Sequence, residues 1–460
     1  MRFRSTRRRF LLGLLLWSLL AVPGNAAEAP APLTLKDALR LAYKANPTMQ
    51  ISRLQSLIAG EEVVRGRSGF LPTVKSEVSQ TINDNETQTK IPTSALPGLG
   101  GAAPGGGVIS FPTNNRNFWS SKVYLDQTIF DFWGTPSRYQ AAVLGKSASI
   151  LDTAKTRDDL FLNVSRGYFS TLRTLKLETV ARQEVTDLQA HLKIARDQHD
   201  FGVVTYNDVL QAEVSLADAE QRLIVAKNDI INSRSALNKV LALPVSAPTV
   251  LKDEKLETRP WGLDDATSAA LDQRSDLKAA TRRISQQEKV VTQTRAQYFP
   301  RFYTQAGMNW QQNEFLLHDT QWFGIFGMQW TLFSGLDTKA QVAQAKLKVN
   351  QLREQHKDLD DQVRLDVQNA YLRVRETADR IRVTEKAVTQ GQENLRLNEE
   401  RYQEQVGTAT DVIDAQTLLT RTRVNYWTAL YDHQMAKAEL LWAMGAINIL
   451  LPKEDSRNAP

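Results

Sequence analysis

The chain of 460 residues predicts a mainly α-helical protein with a small β part, in which one helix–strand-pair–long-helix–helix unit occurs twice. Three observations predict it: an internal repeat, four short segments of period-two hydropathy, and two very long stretches of helical period. Ala38, Ala42, Met49 and Phe70-Leu71-Pro72 return 228 positions later as Ala266, Ala270, Leu277 and Tyr298-Phe299-Pro300. Gln127-Thr128-Ile129-Phe130 returns as Trp330-Thr331-Leu332-Phe333, and Val164 with Tyr168 as Val367 with Tyr371, now at an offset of 203. The offsets differ by 25 residues, so one insertion in the first copy separates them.

Residues 1–26 read as a signal peptide. Arg2, Arg4, Arg7, Arg8 and Arg9 precede an apolar run from Phe10 to Val22, and Pro23-Gly24-Asn25-Ala26 offers a small-residue cleavage site. A retained anchor is the alternative, but the apolar core is short for a spanning helix. Losing five arginines and no acid takes the net charge from +6 to about +1, which leaves no electrostatic footprint for nucleic acid. The chain has no cysteine. The expected protein is therefore exported without disulfides, and with no long apolar run it can enter a bilayer only as a closed β-barrel.

The first repeat is expected over 27–243. Its opening helix runs from Leu35 to about Gly69, interrupted at Asn46-Pro47, because proline disfavours a helical residue before it. Val74, Val78 and Ile82 alternate with Lys75, Glu77, Ser79 and Thr81, giving a strand at about 73–83. A second strand follows at about 119–130. The intervening 84–118 reads as a surface loop, since 100–107 holds five glycines and a proline. A phosphate-cradling loop would need a following Lys-Ser/Thr and a helix start, and neither is present. A helical hairpin is expected over about 136–243 with its break at Phe201-Gly202, and a proline-rich linker over 244–260.

The second repeat is expected over 261–445, with strands at about 301–312 and 321–333 and a helical hairpin at about 336–444; a tail covers 446–460. Residues 298–333 hold eleven of the 36 aromatics, gathered along one strand face and at strand ends, as in the wall of a transmembrane barrel. A sandwich strand is the alternative, but no second apolar layer exists to cover it. From Val367 through Val374, Ile381, Val388 and Leu395 to Tyr402 the spacing is a strict seven, a coiled-coil seam. About 70 residues at 1.5 Å give a rod of ~100 Å, broken at Val406-Gly407, where glycine is the expected terminator.

Four strands cannot close a barrel, and an open sheet in lipid leaves edge groups unpaired at several kcal/mol each. Three copies would supply twelve strands and leave a lumen. The fold class expected is thus a homotrimeric 12-stranded β-barrel, four strands per protomer, on a long α-helical coiled-coil barrel.

These motifs in this order resemble the TolC-like outer-membrane efflux proteins over about residues 33–445. The resemblance is carried by Phe70-Leu71-Pro72, Phe299-Pro300, Gln127 to Asp131, Trp330-Thr331-Leu332-Phe333-Ser334-Gly335, and the segment from Arg401 to Gln416. It implies a homotrimeric exit duct in the Gram-negative outer membrane with a long periplasmic extension and a gated tip. It also implies docking with a periplasmic adaptor (membrane fusion) protein and an inner-membrane pump or ABC exporter, as in efflux and type I secretion, for small molecules or polypeptides.

The resemblance places pore-ring acids at Asp411 and Asp414, which lie three apart on one helix face. Six carboxylates would then crowd at the narrowest point, favouring cations and raising some of their pKa values. Two acids that simply favour a helix N-terminus are the alternative reading. Tyr402 and Asp208 match positions that hydrogen-bond between the hairpins and latch the tip; packing alone is the alternative for Tyr402. Gly202, Val203, Gly407 and Thr408 mark the hairpin turns and the expected adaptor-docking grooves. The family's gate arginine is replaced by Gly407, so the latch is weaker here or built from other residues such as Arg401.

No catalytic residue is expected. His191, His199, His318, His356 and His433 form no close pair at metal-ligand spacing, and no nucleophile motif or cofactor site stands out. The rival readings are a structural coiled-coil envelope protein without transport, which leaves the aromatic strands unexplained, and a secreted enzyme, which lacks site chemistry.

Overall fold

The computed structural model describes residues 32–95 and 107–451. The expected signal peptide, the glycine-rich centre of the insertion and most of the C-terminal tail lie outside the described residues. Helix α1 (Leu35–Ala45) starts at Thr34, whose hydroxyl accepts from the Asp37 N–H at 3.1 Å. It stops at Asn46, which caps α2 (Pro47–Arg67) by accepting from the Thr48 N–H at 2.8 Å. Strand β1 (Thr73–Ile82) follows, then a hairpin of β2 (Thr87–Pro92) and β3 (Val108–Asn114), then β4 (Asn117–Phe130). The insertion is thus not all loop. Its flanks carry Thr, Ile, Val and Phe and pair antiparallel over Thr87–Pro92 and Val108–Asn114.

The hairpins come next. Helix α3 (Gly134–Asp200) and α4 (Tyr206–Val240) have 67 and 35 residues. In the second copy, α5 (Leu263–Gln273), α6 (Ser275–Arg295), β5 (Arg301–Gln311) and β6 (Thr320–Gln329) precede α7 (Asp337–Gln403) and α8 (Ala409–Ala443). The last two again have 67 and 35 residues, so the duplicated unit repeats to the residue over its longest part. Strand β6 stops at Gln329, short of the expected 333.

The repeat positions are the core. Ala38, Ala42 and Val164 are fully buried in one cluster with Phe161, Tyr168 and Phe169, and Ala266, Ala270 and Val367 are fully buried in the other. Small residues recur there because helices α1 and α5 lie close against the long helices. The linker is extended, and its Val250 and Lys252 exchange backbone hydrogen bonds with Leu33 at 2.8 and 3.0 Å. Arg274, in the α5–α6 break, is buried and bridges Asp276 at 2.6 Å and Asp366 at 2.9 Å. The first residues of the tail form a short 3-10 turn, with Ile447 fully buried.

Paired acids fix α8 between the two long helices. Glu439 takes Arg166 of α3 at 2.8 Å and Arg373 of α7 at 3.0 Å. One heptad away, Asp432 takes Arg173 at 2.9 Å and Arg380 at 3.7 Å. These rungs set register more than stability, since most of the arginines remain partly exposed.

The main sheet is antiparallel in the order β1-β4-β5-β6. Its register places Val74, Val78, Val123, Leu125, Phe302, Met308, Trp310, Trp322, Phe326 and Met328 on one face. The opposite face carries Lys75, Glu77, Lys122, Asp126, Gln305, Asn309 and Gln321. Trp322 and Phe326 are 79% and 73% exposed, as an apolar face is when no protein layer covers it. Among the described residues β1 and β6 have no further partner strand. None of the described helices is long and apolar enough to cross a membrane.

Candidate gate at the hairpin tips

The two turns are copies of each other at offset 203. In the first, α3 ends at Asp200, Gly202 adopts φ +76°, and the Val203 N–H donates to the Gln198 carbonyl at 2.8 Å. In the second, α7 ends at Gln403, Gln405 adopts φ +63°, and the Val406 N–H donates to the Arg401 carbonyl at 2.9 Å. Gly407 is therefore not the left-handed terminator that the sequence suggests; Gln405 takes that conformation. A Cβ on Gly407 would stand 3.1 Å from Arg401 Cβ and 3.2 Å from the Tyr402 nitrogen, so glycine lets the returning chain pass close to its own helix.

Thr205 and Thr408 then open the return helices, and Asp208 and Asp411 are the equivalent residues of the two copies. Asp208 Oδ2 accepts from the Thr205 N–H at 2.9 Å and from its hydroxyl at 2.8 Å. Asp411 Oδ2 accepts from the Thr408 N–H at 3.0 Å and from its hydroxyl at 2.8 Å, while the Asp411 N–H donates to Thr408 Oγ1 at 3.2 Å. Each is the acid of a capping box. The hydrogen bonds from Thr408, its backbone N–H first, and the nearby Arg401 charge hold the exposed Asp411 carboxyl below the usual carboxylate range. Asp414, one turn on, is exposed and lies outside the capping box. The Arg401 guanidinium reaches the Val406 carbonyl of its own turn at 3.5 Å.

Tyr402 is 4% exposed and packs with Leu395, Ala409, Val412, Ala415 and Leu419, with Ile194 and Val204 of the other hairpin against this cluster. Its hydroxyl makes no hydrogen bond. Burial first, and the Asp208 charge second, push its pKa up, so Asp208 is within electrostatic reach but not hydrogen-bonded to it. The bonds that do cross between hairpins here are Thr410 Oγ1 to Gln211 Oε1 at 3.0 Å and Gln416 Nε2 to Asp187 Oδ2 at 3.2 Å. Sequence reasoning missed both, as well as His191, whose ring lies 5.2 Å from that of Tyr402. The available signal was a polar residue inside the apolar stripe Leu188, Leu192, Ala195 of α3. Phe201 and Val203 at the first turn and Val406 at the second are 86%, 42% and 68% exposed, leaving both tips with bare apolar side chains.

A sheet with one bare apolar face at one end of rods ~100 Å long, and two matched turns at the other end, define a class: duplicated helical-hairpin proteins that carry an apolar-faced sheet. The chain belongs to the outer membrane efflux protein family, whose profile matches residues 38–243 and 266–446. It is a TolC-like outer-membrane protein. It is 24% identical over 343 residues to the alkaline protease secretion protein AprF of Pseudomonas aeruginosa, covering 71% of this chain and 70% of that one. It is 21% identical over 444 residues to the outer membrane protein TolC of Vibrio cholerae, covering 93% and 94%. Among solved structures, the outer membrane protein VceC of Vibrio cholerae superposes with a TM-score of 0.74 at 18% identity, covering 89% of this chain and 96% of that chain.

Proposed function

We propose that three copies of this chain form an outer-membrane exit duct, closed at its periplasmic tip until a transport complex engages it. The observation that carries this reading is the main sheet: four strands, two free edges and one apolar face. Such a sheet is stable in lipid only when its edges are paired, and three copies bring twelve strands, an even number wide enough for a lumen. The exposed apolar residues of α2 (Ile51, Leu54, Leu57, Ile58) and α4 (Val214, Ile224, Ile231) supply matching faces for neighbouring copies along the helical tube. A structural coiled-coil protein without transport has no need of the sheet.

The duct serves an inner-membrane pump or ABC exporter through a periplasmic adaptor, and the transporter, not the duct, selects the cargo. Both cargo classes occur in the names of relatives: AprF is a protease secretion protein and OpmQ a pyoverdine export outer membrane protein. The adaptor docks in the grooves at Gly202, Val203, Gly407 and Thr408, where Val203 and Val406 offer apolar contacts. Because the chain has no cysteine, single cysteines placed at Val203 or Thr408 will crosslink a candidate adaptor. Crosslinks only at positions outside both turns would move the docking surface elsewhere.

At the entrance, Asp411 and Asp414 of three protomers form a ring of six carboxylates that attracts cations. The capping box of Asp411 works against its protonation, which keeps that part of the ring charged. Replacing both acids by alanine will change single-channel conductance and abolish block by multivalent cations in planar bilayers. Unchanged conductance and block would mean that the acids serve the helix start alone.

A further inference from the structure

His191 sits in the seam between the two hairpins and has no part in the latch or the ring described above. It is 7% exposed, on α3, with its ring 5.2 Å from the Tyr402 ring at an interplanar angle of 53°. Its Nε2 is buried without a hydrogen-bond partner, and so are the Tyr402 hydroxyl and the side-chain oxygens of Gln416 and Gln198. Around the two rings the seam is therefore held by ring contact and by the apolar Leu395, Val412, Ala415 and Leu419. The hydrogen bonds that cross nearby, Thr410 to Gln211 and Gln416 to Asp187, use neither His191 Nε2 nor the Tyr402 hydroxyl. A neutral imidazole tolerates that setting with one nitrogen unpaired. An imidazolium has two N–H donors and a charge, and leaving either donor unsatisfied in a buried site is costly.

We infer that His191 is the pH-sensitive gate residue of this duct: protonating its imidazole loosens the contact with Tyr402 and frees the α3–α4 tip from the α7–α8 tip. This rests on the duct reading above. The groups around the seam do not offer the imidazolium a ready partner. On α3, Asp187 stands one turn before His191 and takes Gln183 Nε2 at 2.7 Å and Gln416 Nε2 at 3.2 Å. On α4, Asp208 is held by Thr205. On α7 the Tyr402 ring meets His191, while Glu399 lies near Asp187, and burial followed by that Asp187 charge raises the pKa of Glu399, weakening it as a counter-charge. On α8 the polar group bonded into this seam is the uncharged Gln416, through Asp187.

Burial accordingly holds the His191 pKa below the ordinary imidazole value near 6.5. The sign follows from linkage. The seam favours neutral His191, so closure has its full stability above the pKa of the hydrated ring and loses it as pH falls through the lowered value. Acidification opens the tip, and alkaline conditions leave it closed.

The test is conductance of the purified full-length trimer in planar bilayers between about pH 7.5 and about pH 5.5, the window in which histidine titrates. Wild type should rise several-fold on acidification, and His191→Gln, neutral throughout, should stay flat. A second readout does not require conduction: spin labels on cysteines introduced at Val203 and Val406 should move apart at the acid end in wild type and not in His191→Gln. Equal acid responses in both proteins, or none in wild type, would overturn the role of His191. If neither protein conducts at any pH while the labels still part in wild type alone, the duct reading fails and the histidine switch stands.

Discussion

Phe326→Arg is expected to abolish assembly of the protein in the outer membrane, whereas Gln305→Arg, on the neighbouring strand but the opposite face, is expected to be tolerated. The two positions are close in the sheet: Gln305 pairs with Ile325, next to Phe326. They differ in the face they occupy. Phe326 is 73% exposed on the apolar face with Met308, Trp322 and Met328, and Gln305 lies among Glu77, Asp126 and Asn309. An arginine on the lipid side of a barrel costs about 2–4 kcal/mol near the bilayer centre, while lumen substitutions cost little. Threefold assembly applies that cost once per protomer, which is comparable with the whole stability of an ordinary domain. Outer-membrane fractionation with a heat-modifiability gel reads the result. Loss of the trimer in both variants, or in neither, would mean that the apolar face does not meet lipid.

The parts of the fold that were legible in the sequence are those governed by local period and by repetition. Ala38, Ala42 and Val164 were marked by their counterparts Ala266, Ala270 and Val367, and all six prove fully buried. The seven-residue seam holds at both ends, where Val367, Leu395 and Tyr402 are buried, and Ile381 and Val388 between them are half-buried. The β2–β3 hairpin was hidden because glycine density at 100–107 dominates any reading of the insertion, although pairing is decided by the flanks. The break at Arg274 was hidden too. It carries no proline or glycine, and a buried arginine held by Asp276 and Asp366 marks the turn instead.

The site was legible in its location and less so in its chemistry. Glycines marked both tips, but the left-handed residue in the second is Gln405, because Gly407 is needed for close passage past Arg401. Asp208 and Asp411 drew different expectations, one as latch and one as ring, yet they are the same position of the duplicated unit and perform the same capping. A family pattern assigns roles one residue at a time and does not register that equivalence. Interhelical neighbours such as His191 and Tyr402 are 211 positions apart in the chain, and periodicity carries no information on such pairs.

The proposed latch is expected to have the second large effect. In the single chain, Asp208 caps α4 and stands near a Tyr402 hydroxyl that lacks a partner. We propose that closure of the trimer lets the second oxygen of Asp208 accept that hydroxyl, which satisfies a buried polar group worth about 1–3 kcal/mol. Removing both ends should therefore release the tip at each of the three hairpin pairs at once. Asp208→Ala also removes a helix cap, so Thr205→Ala, which weakens the same cap by about 1 kcal/mol and spares the latch, is the control.

Single-channel conductance of the purified trimer at neutral pH, for wild type, Thr205→Ala and the double variant Tyr402→Phe with Asp208→Ala, tests the gated duct most directly. The expected result is a low resting conductance in the first two and a several-fold higher one in the double variant, with greater passage of large antibiotics in cells. A double variant as closed as wild type would contradict the latch, and a trimer that never conducts would contradict the duct.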